Sequence, residues 1–186
     1  MEDPKLRGIW AAIVTPVDPD GEINLERWAR HARWLLRQGC HGLGVFGTTG
    51  ETQAFSVDER RAALEALLAA GLPADRVILG VGCCARADTV ALIRHGLGLG
   101  VTRMLALPPF FYKNVPEEGL VRAFSEVIEK VGDPRLELLL YHFPQVSGVP
   151  IPKTVIARLV ERYPSTIEGI KDSSADLPPT LDLVRS

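Results

Sequence analysis

Six times along this 186-residue chain, a short apolar run is followed by a longer segment whose apolar residues recur every three or four positions. Short apolar runs suit buried strands and the three-to-four spacing suits helices, so the alternation predicts a parallel sheet covered by crossover helices. The runs begin near Gly8, Gly42, Arg76, Arg103, Leu136 and Thr166. Their spacing of about 30 residues is that of one strand, one crossover helix and the next parallel strand. Leu25, Trp28, Ala29, Ala32, Leu35 and Leu36 share one helical face. Ser56 and Glu59 form a capping box ahead of a second helix, which Gly71 and Pro73 stop. Pro152 suits the first turn of a later helix that carries Val155, Ile156, Leu159 and Val160 inward, and Pro164 closes it.

Two α/β architectures fit such an alternation. An open, doubly wound sheet would place a G-x-G-x-x-G turn at the first strand-to-helix junction, but Thr15 to Gly21 has none and the glycine-rich turn follows the second strand. The (β/α)8 barrel is the better match. A closed barrel takes about 250 residues, so about six of its eight units are present. The expectation is one incomplete (β/α) barrel domain over residues 1–186, with no linker or low-complexity segment. Open sheet edges and bare apolar surface would then favour self-association or aggregation.

Composition narrows the function. Hydrophobic residues at 46% and charged residues at 24% exclude disordered and fibrous classes. Twenty-one Lys and Arg against 23 Asp and Glu give a charge of −2 without a basic block, which argues against a nucleic-acid partner. No apolar run reaches the roughly 20 residues of a membrane span, and Met1 to Lys5 lack a signal core, so no membrane and a cytoplasmic location are expected. Cys40, Cys83 and Cys84 lack paired spacing, and His31, His41, His95 and His142 lack a second ligand at metal spacing. No metal site is expected.

Barrel enzymes carry their reactive groups at the C-terminal ends of the strands, and three such ends stand out. Gly47-Thr48-Thr49-Gly50-Glu51, after the second strand, is either a cradle of hydroxyl and N–H groups for a carboxylate or a plain strand-to-helix turn. Tyr141-His142-Phe143-Pro144 ends the fifth strand. Tyr141 shares a face with Leu139 and either shuttles a proton or simply packs with its hydroxyl at the surface. Thr166-Ile167-Glu168-Gly169-Ile170-Lys171-Asp172 ends with a lysine in an apolar strand, on the face of Ile167 and Gly169, with small Gly169 leaving room for a ligand. That amine is either a nucleophile favoured by desolvation or a charge that snorkels to solvent.

Together, in this order and separation, the three motifs resemble the dihydrodipicolinate synthase and N-acetylneuraminate lyase family, from about Gly8 to the end of the chain. The resemblance implies a pyruvate-dependent lyase or synthase on a (β/α)8 barrel, forming or breaking a carbon-carbon bond without cofactor or metal. It implies Lys171 as the Schiff-base lysine and Tyr141 as the proton-transfer group. Thr48 and Thr49 would bind the pyruvate carboxylate within the turn flanked by Gly47 and Gly50, and Thr48 would help relay the tyrosine proton. The substrates would be pyruvate or another 2-oxo acid and an aldehyde, and a homodimer or homotetramer is implied.

Two positions depart from the family pattern. Where synthases acting on aspartate semialdehyde carry an arginine for the second substrate's carboxylate, this chain has Val146. Valine cannot make that bidentate bond, so the residues favour a sugar-acid or related 2-oxo-acid aldolase over 4-hydroxy-tetrahydrodipicolinate synthase. Gln145, Val146 and Ser147 would line the aldehyde half of the pocket. The tyrosine that crosses a dimer interface in the synthases is replaced by Phe111 or displaced to Tyr112. Family members also continue past the sixth helix, so a second reading is a catalytically inactive barrel fragment acting as an interaction module. A barrel enzyme using phosphate substrates is a third, weaker because its usual phosphate site lies on the seventh and eighth units.

Overall fold

Asn24 and Ser56 begin the first two long helices alike, each side chain accepting a backbone N–H of the opening turn. At Ser56 the Glu59 carboxylate returns the bond to the Ser56 N–H, the reciprocal box expected from the sequence. The structure, a computed structural model, describes residues 6–185. Its strands are β1 (Trp10–Ala12), β2 (Gly42–Val45), β3 (Val77–Gly80), β4 (Arg103–Ala106), β5 (Glu137–His142) and β6 (Ile167–Asp172). Each begins within two residues of the position expected. The helices are α1 (Leu25–Arg37), α2 (Val57–Ala69), α3 (Arg86–Gly98), α4 (Glu117–Val131), α5 (Pro144–Ser147), α6 (Lys153–Arg162) and α7 (Leu177–Arg185). No helix among the described residues is long and apolar enough to cross a membrane.

The chain forms two compact units, one running to Val81 with Ala91–Leu105 and the other comprising Gly82–Val90 with the residues from Ala106 onward. In the first, successive strands pair in parallel, Trp10 beside Gly42, Leu43 beside Val77 and Ile78 beside Arg103. All four residues of β3 are buried, as expected of a parallel strand covered on both faces. Trp28 of α1 is fully buried and meets the edge of Phe46 at 5.0 Å between ring centroids, and Phe46 meets Phe55 at 6.0 Å. Full burial of a large apolar side chain contributes about 1.5–3 kcal/mol, and an aromatic pair about 0.5–1.5 kcal/mol more. The inward stripe of α1 is narrower than its sequence spacing. Leu25 is 41% exposed. Helical side chains lean toward the N-terminus, so the first residue of α1 leans past the end of its own helix.

In the second unit, β5 and β6 pair in parallel and α4 and α6 supply Phe124, Val127, Ile128, Val155 and Leu159 to the core. Ile156 and Val160 of α6 turn instead onto a groove shared with Ile167, Ile170 and Leu183, leaving Val160 43% exposed. The β5–β6 ladder holds one irregularity. Leu138 faces Ile167, Leu139 faces Gly169 and Tyr141 faces Lys171, so Glu168 is passed over. This bulge corrects the alternation expected for the sixth strand. Ile167 aligns with Leu138, whereas Gly169 and Lys171 align with Leu139 and Tyr141, because an extra residue in one strand reverses the facing of those on either side.

Candidate active site

The turn after β2 belongs to the first unit and depends on two close backbone approaches. Phe46 follows the strand at φ 52°, and a Cβ on Gly80 would overlap the Phe46 carbonyl. A Cβ on Gly50 would stand 3.0 Å from the Ile13 carbonyl oxygen and 3.1 Å from Thr15 Oγ1. Thr15 Oγ1 donates to the Gly50 carbonyl at 2.8 Å, and Gly50 N–H donates to the Gly47 carbonyl at 3.0 Å. Within this frame Thr48 is half-buried and Thr49 exposed. Their hydroxyl and N–H groups donate to no protein acceptor among the described residues. Gly47 is buried, yet no atom outside its chain neighbours lies within 4 Å of where its Cβ would be. The turn therefore offers donors and open space to a small anion.

Arg60 was not singled out by the sequence reading, although it is 4% exposed and donates to Thr52 Oγ1 at 2.9 Å, one residue beyond the motif. A signal was present. Arg60, Ala63, Leu64 and Leu67 share the spacing of the inward face of α2, and an arginine on such a face must find an acceptor.

In the second unit, the ladder sets Tyr141 beside Lys171. The Lys171 amino nitrogen lies 4.3 Å from the centroid of the Tyr141 ring. Tyr141 is 4% exposed, its ring tilted against Phe143 at 5.8 Å, and its hydroxyl has no protein partner among the described residues. Lys171 is half-buried and has no carboxylate partner among them. The contact places a primary amine beside a phenol, two groups of the types that can serve as nucleophile and acid-base partner. The next residue has another task. Burial pushes the Asp172 carboxyl up, but hydrogen bonds from Thr180 and Ser174 and the nearby His142 outweigh it, and the net shift is downward. Asp172 thereby ties β6 to the start of α7.

A lowered carboxyl pKa stabilises the fold above the unfolded value, and that contribution is lost as pH falls through the folded one. Urea titrations of the wild type and Asp172→Asn should therefore differ at neutral pH and converge in acid, below the ordinary value of 3.8.

Of the remaining candidates, Tyr112, Phe111 and Val146 are exposed. Tyr112 and Phe111 are 75% and 71% exposed, and each takes the other as its ring partner at 5.1 Å. Val146, on α5, is 55% exposed. Its neighbours are engaged elsewhere: the Gln145 amide donates to the Ser174 carbonyl, and the buried Ser147 hydroxyl donates to the Val149 carbonyl and accepts the Val149 N–H. The Ser147 hydroxyl expected to line an aldehyde pocket thus closes its own turn. Lys113 Nζ donates to the Ser147 carbonyl at 2.6 Å, bracing the same segment.

A parallel α/β chain with a lysine and a tyrosine paired at adjacent strand ends fits a barrel lyase, and comparison with known proteins makes the relationship specific. Residues 5–186 match the dihydrodipicolinate synthetase family, and the chain belongs to it. It is 40% identical over 172 residues to a protein of Chloroflexus aurantiacus described as an uncharacterized DapA-like lyase, covering 91% of this chain and 56% of that one. A crystal structure of dihydrodipicolinate synthase from Agrobacterium tumefaciens superposes with a TM-score of 0.93 at 34% identity, over 96% of this chain and 62% of that one. YagE of E. coli K12, a family protein solved in complex with pyruvate, has a TM-score of 0.79 at 26% identity, over 89% and 54% of the two chains. The six parallel β/α units are thus of the (β/α)8-barrel class. The chain spans about half the length of the curated relatives it matches.

Proposed function

We propose that this chain carries the Schiff-base half of a pyruvate-dependent lyase. The observation that carries this reading is Lys171 Nζ at 4.3 Å from the Tyr141 ring, on register-paired residues and without a carboxylate partner among the described residues. The neutral Lys171 amine adds to the ketone of a 2-oxo acid, and loss of water leaves an iminium. The iminium withdraws electrons from the adjacent carbon. A proton leaves the methyl group of bound pyruvate to give an enamine, which attacks an aldehyde carbonyl; in reverse, the same iminium permits carbon-carbon cleavage. Tyr141 moves these protons. Thr48 and Thr49 bind the 2-oxo acid carboxylate, with Gly47 leaving it room. The pyruvate held by YagE supports the substrate class.

The 2-oxo acid made or cleaved is a sugar acid or related compound whose aldehyde half lacks a carboxylate, rather than the condensation product of aspartate semialdehyde, because exposed Val146 offers a second carboxylate no donor. Val146→Arg should raise condensation with aspartate semialdehyde by about tenfold or more, the worth of one charge-assisted hydrogen bond of about 1.5–3 kcal/mol. An unchanged rate would remove Val146 as the discriminating position.

Borohydride trapping tests the reading. The protein is incubated with pyruvate, reduced and mapped by peptide mass spectrometry. A single reduced pyruvate adduct on Lys171 is expected. A folded sample without adduct, or with adducts spread over surface lysines, would leave a barrel-type chain without imine chemistry and favour the interaction-module reading.

A further inference from the structure

Helix α1 concentrates charge in the first unit. It bears Arg27, Arg30, Arg33 and Arg37 against the single acid Glu26, a net +3 in a chain whose total of −2 leaves −5 elsewhere. Several exposed arginines in other places sit on carboxylates, as Arg135 does on Asp133 at 2.7 Å and Arg158 on Glu118 at 2.6 Å, whereas Arg7 and Arg76 do not among the described residues but stand singly in the sequence. On α1, Arg30 reaches Glu26 only at 3.4 Å, and Arg33 donates to the Ala70 carbonyl. Arg27 and Arg37 have no carboxylate partner among the described residues. Positions 27, 30, 34 and 37 advance by three or four, so they lie on one face over about 15 Å.

With His31 and Pro16 these residues line a shallow groove of about 520 Å³. Trp34 is 47% exposed, and its ring runs nearly parallel to that of His31, with planes 17° and centroids 6.0 Å apart. Flat aromatic surface and three guanidinium groups, of which Arg27 and Arg37 have no carboxylate partner among the described residues, therefore share one short groove. We propose that this groove binds a nucleoside phosphate, its base stacked on Trp34 and its phosphates held by Arg30 and Arg37. A guanidinium presents paired N–H donors that match phosphate oxygens, and an exposed indole offers a stacking face to any base. A nucleic-acid strand fits less well, because it would run beyond the 15 Å stripe onto a net acidic remainder. An acidic peptide would use the arginines but leave the ring platform without a planar partner.

The test is isothermal titration of the full chain with ATP at low salt, alongside adenosine, tripolyphosphate and a single-stranded RNA oligonucleotide. ATP should bind, adenosine should not bind measurably, and tripolyphosphate should bind at least fivefold more weakly than ATP. The Arg30→Gln/Arg37→Gln double variant and Trp34→Ala, checked for unchanged melting, should each weaken ATP at least tenfold, whereas Arg122→Gln on α4 should not. Any of four results would overturn the proposal: no ATP binding to the wild type, affinity unchanged in both α1 variants, tripolyphosphate equal to ATP, or RNA tighter than ATP.

Discussion

Lys171→Ala is expected to abolish borohydride-dependent capture of pyruvate and to lower any aldol cleavage or condensation by the chain about 10⁴–10⁶-fold, as loss of a covalent nucleophile does. In the proposed reaction the bond to the substrate is made by this amine, and the other lysines for which the structure gives a partner are committed: Lys113 to backbone carbonyls and Lys153 to Asp182 at 2.7 Å. Lys171→Arg should behave the same way, since a guanidinium stays protonated and cannot form the imine. Tyr141→Phe separates binding from proton transfer. It keeps the ring beneath Lys171 but removes the hydroxyl, so trapping should persist while turnover falls about 10²–10⁴-fold. Equal loss of trapping and turnover in Tyr141→Phe would mean that the phenol is needed to form the imine itself.

The second large effect is expected at Gly80. A Cβ there would overlap the backbone carbonyl of Phe46, which no side-chain rotation can relieve. Gly80→Ala should destabilise the first unit by more than about 4 kcal/mol or prevent folding, the range reached by severe core substitutions. Urea unfolding reads this directly. Gly169→Ala is the contrasting case. Its Cβ would meet only Leu139 Cδ2, at an ordinary 3.7 Å, so its stability should change by no more than about 1 kcal/mol. If Gly169 makes room for substrate, that variant should lose pyruvate capture while keeping its fold.

The element pattern was legible because it is local. Strand starts, the Ser56 and Glu59 box and the stop at Gly71 depend on residues within one turn or one strand, and each stands where expected. Leu25, Val160 and Ile167 were misplaced for a different reason. Their spacing was read correctly, but burial depends on what lies opposite, and the bulge at Glu168 reverses the facing of one strand. The short helix α5 was also missed, since four residues carry too little periodicity to register.

For the candidate site, residue types and order carried the family resemblance from which Lys171, Tyr141, Thr48 and Thr49 are proposed. Val146 could be questioned from its side chain alone, whereas the commitment of Ser147 to Val149 became visible only once the turn was formed. By itself the sequence determined the repeating β/α plan, the helix boundaries and which side chains have reactive chemistry, because these follow from periodicity and functional groups within a few residues. Only the tertiary structure decided that Lys171 rests on Tyr141, that Gly80 must lack a side chain and that Arg60 braces the Thr48 turn. The first two depend on register and close approach between segments some 30 residues apart in the chain, and the third on how α2 packs against a turn eight residues earlier, none of which local pattern encodes.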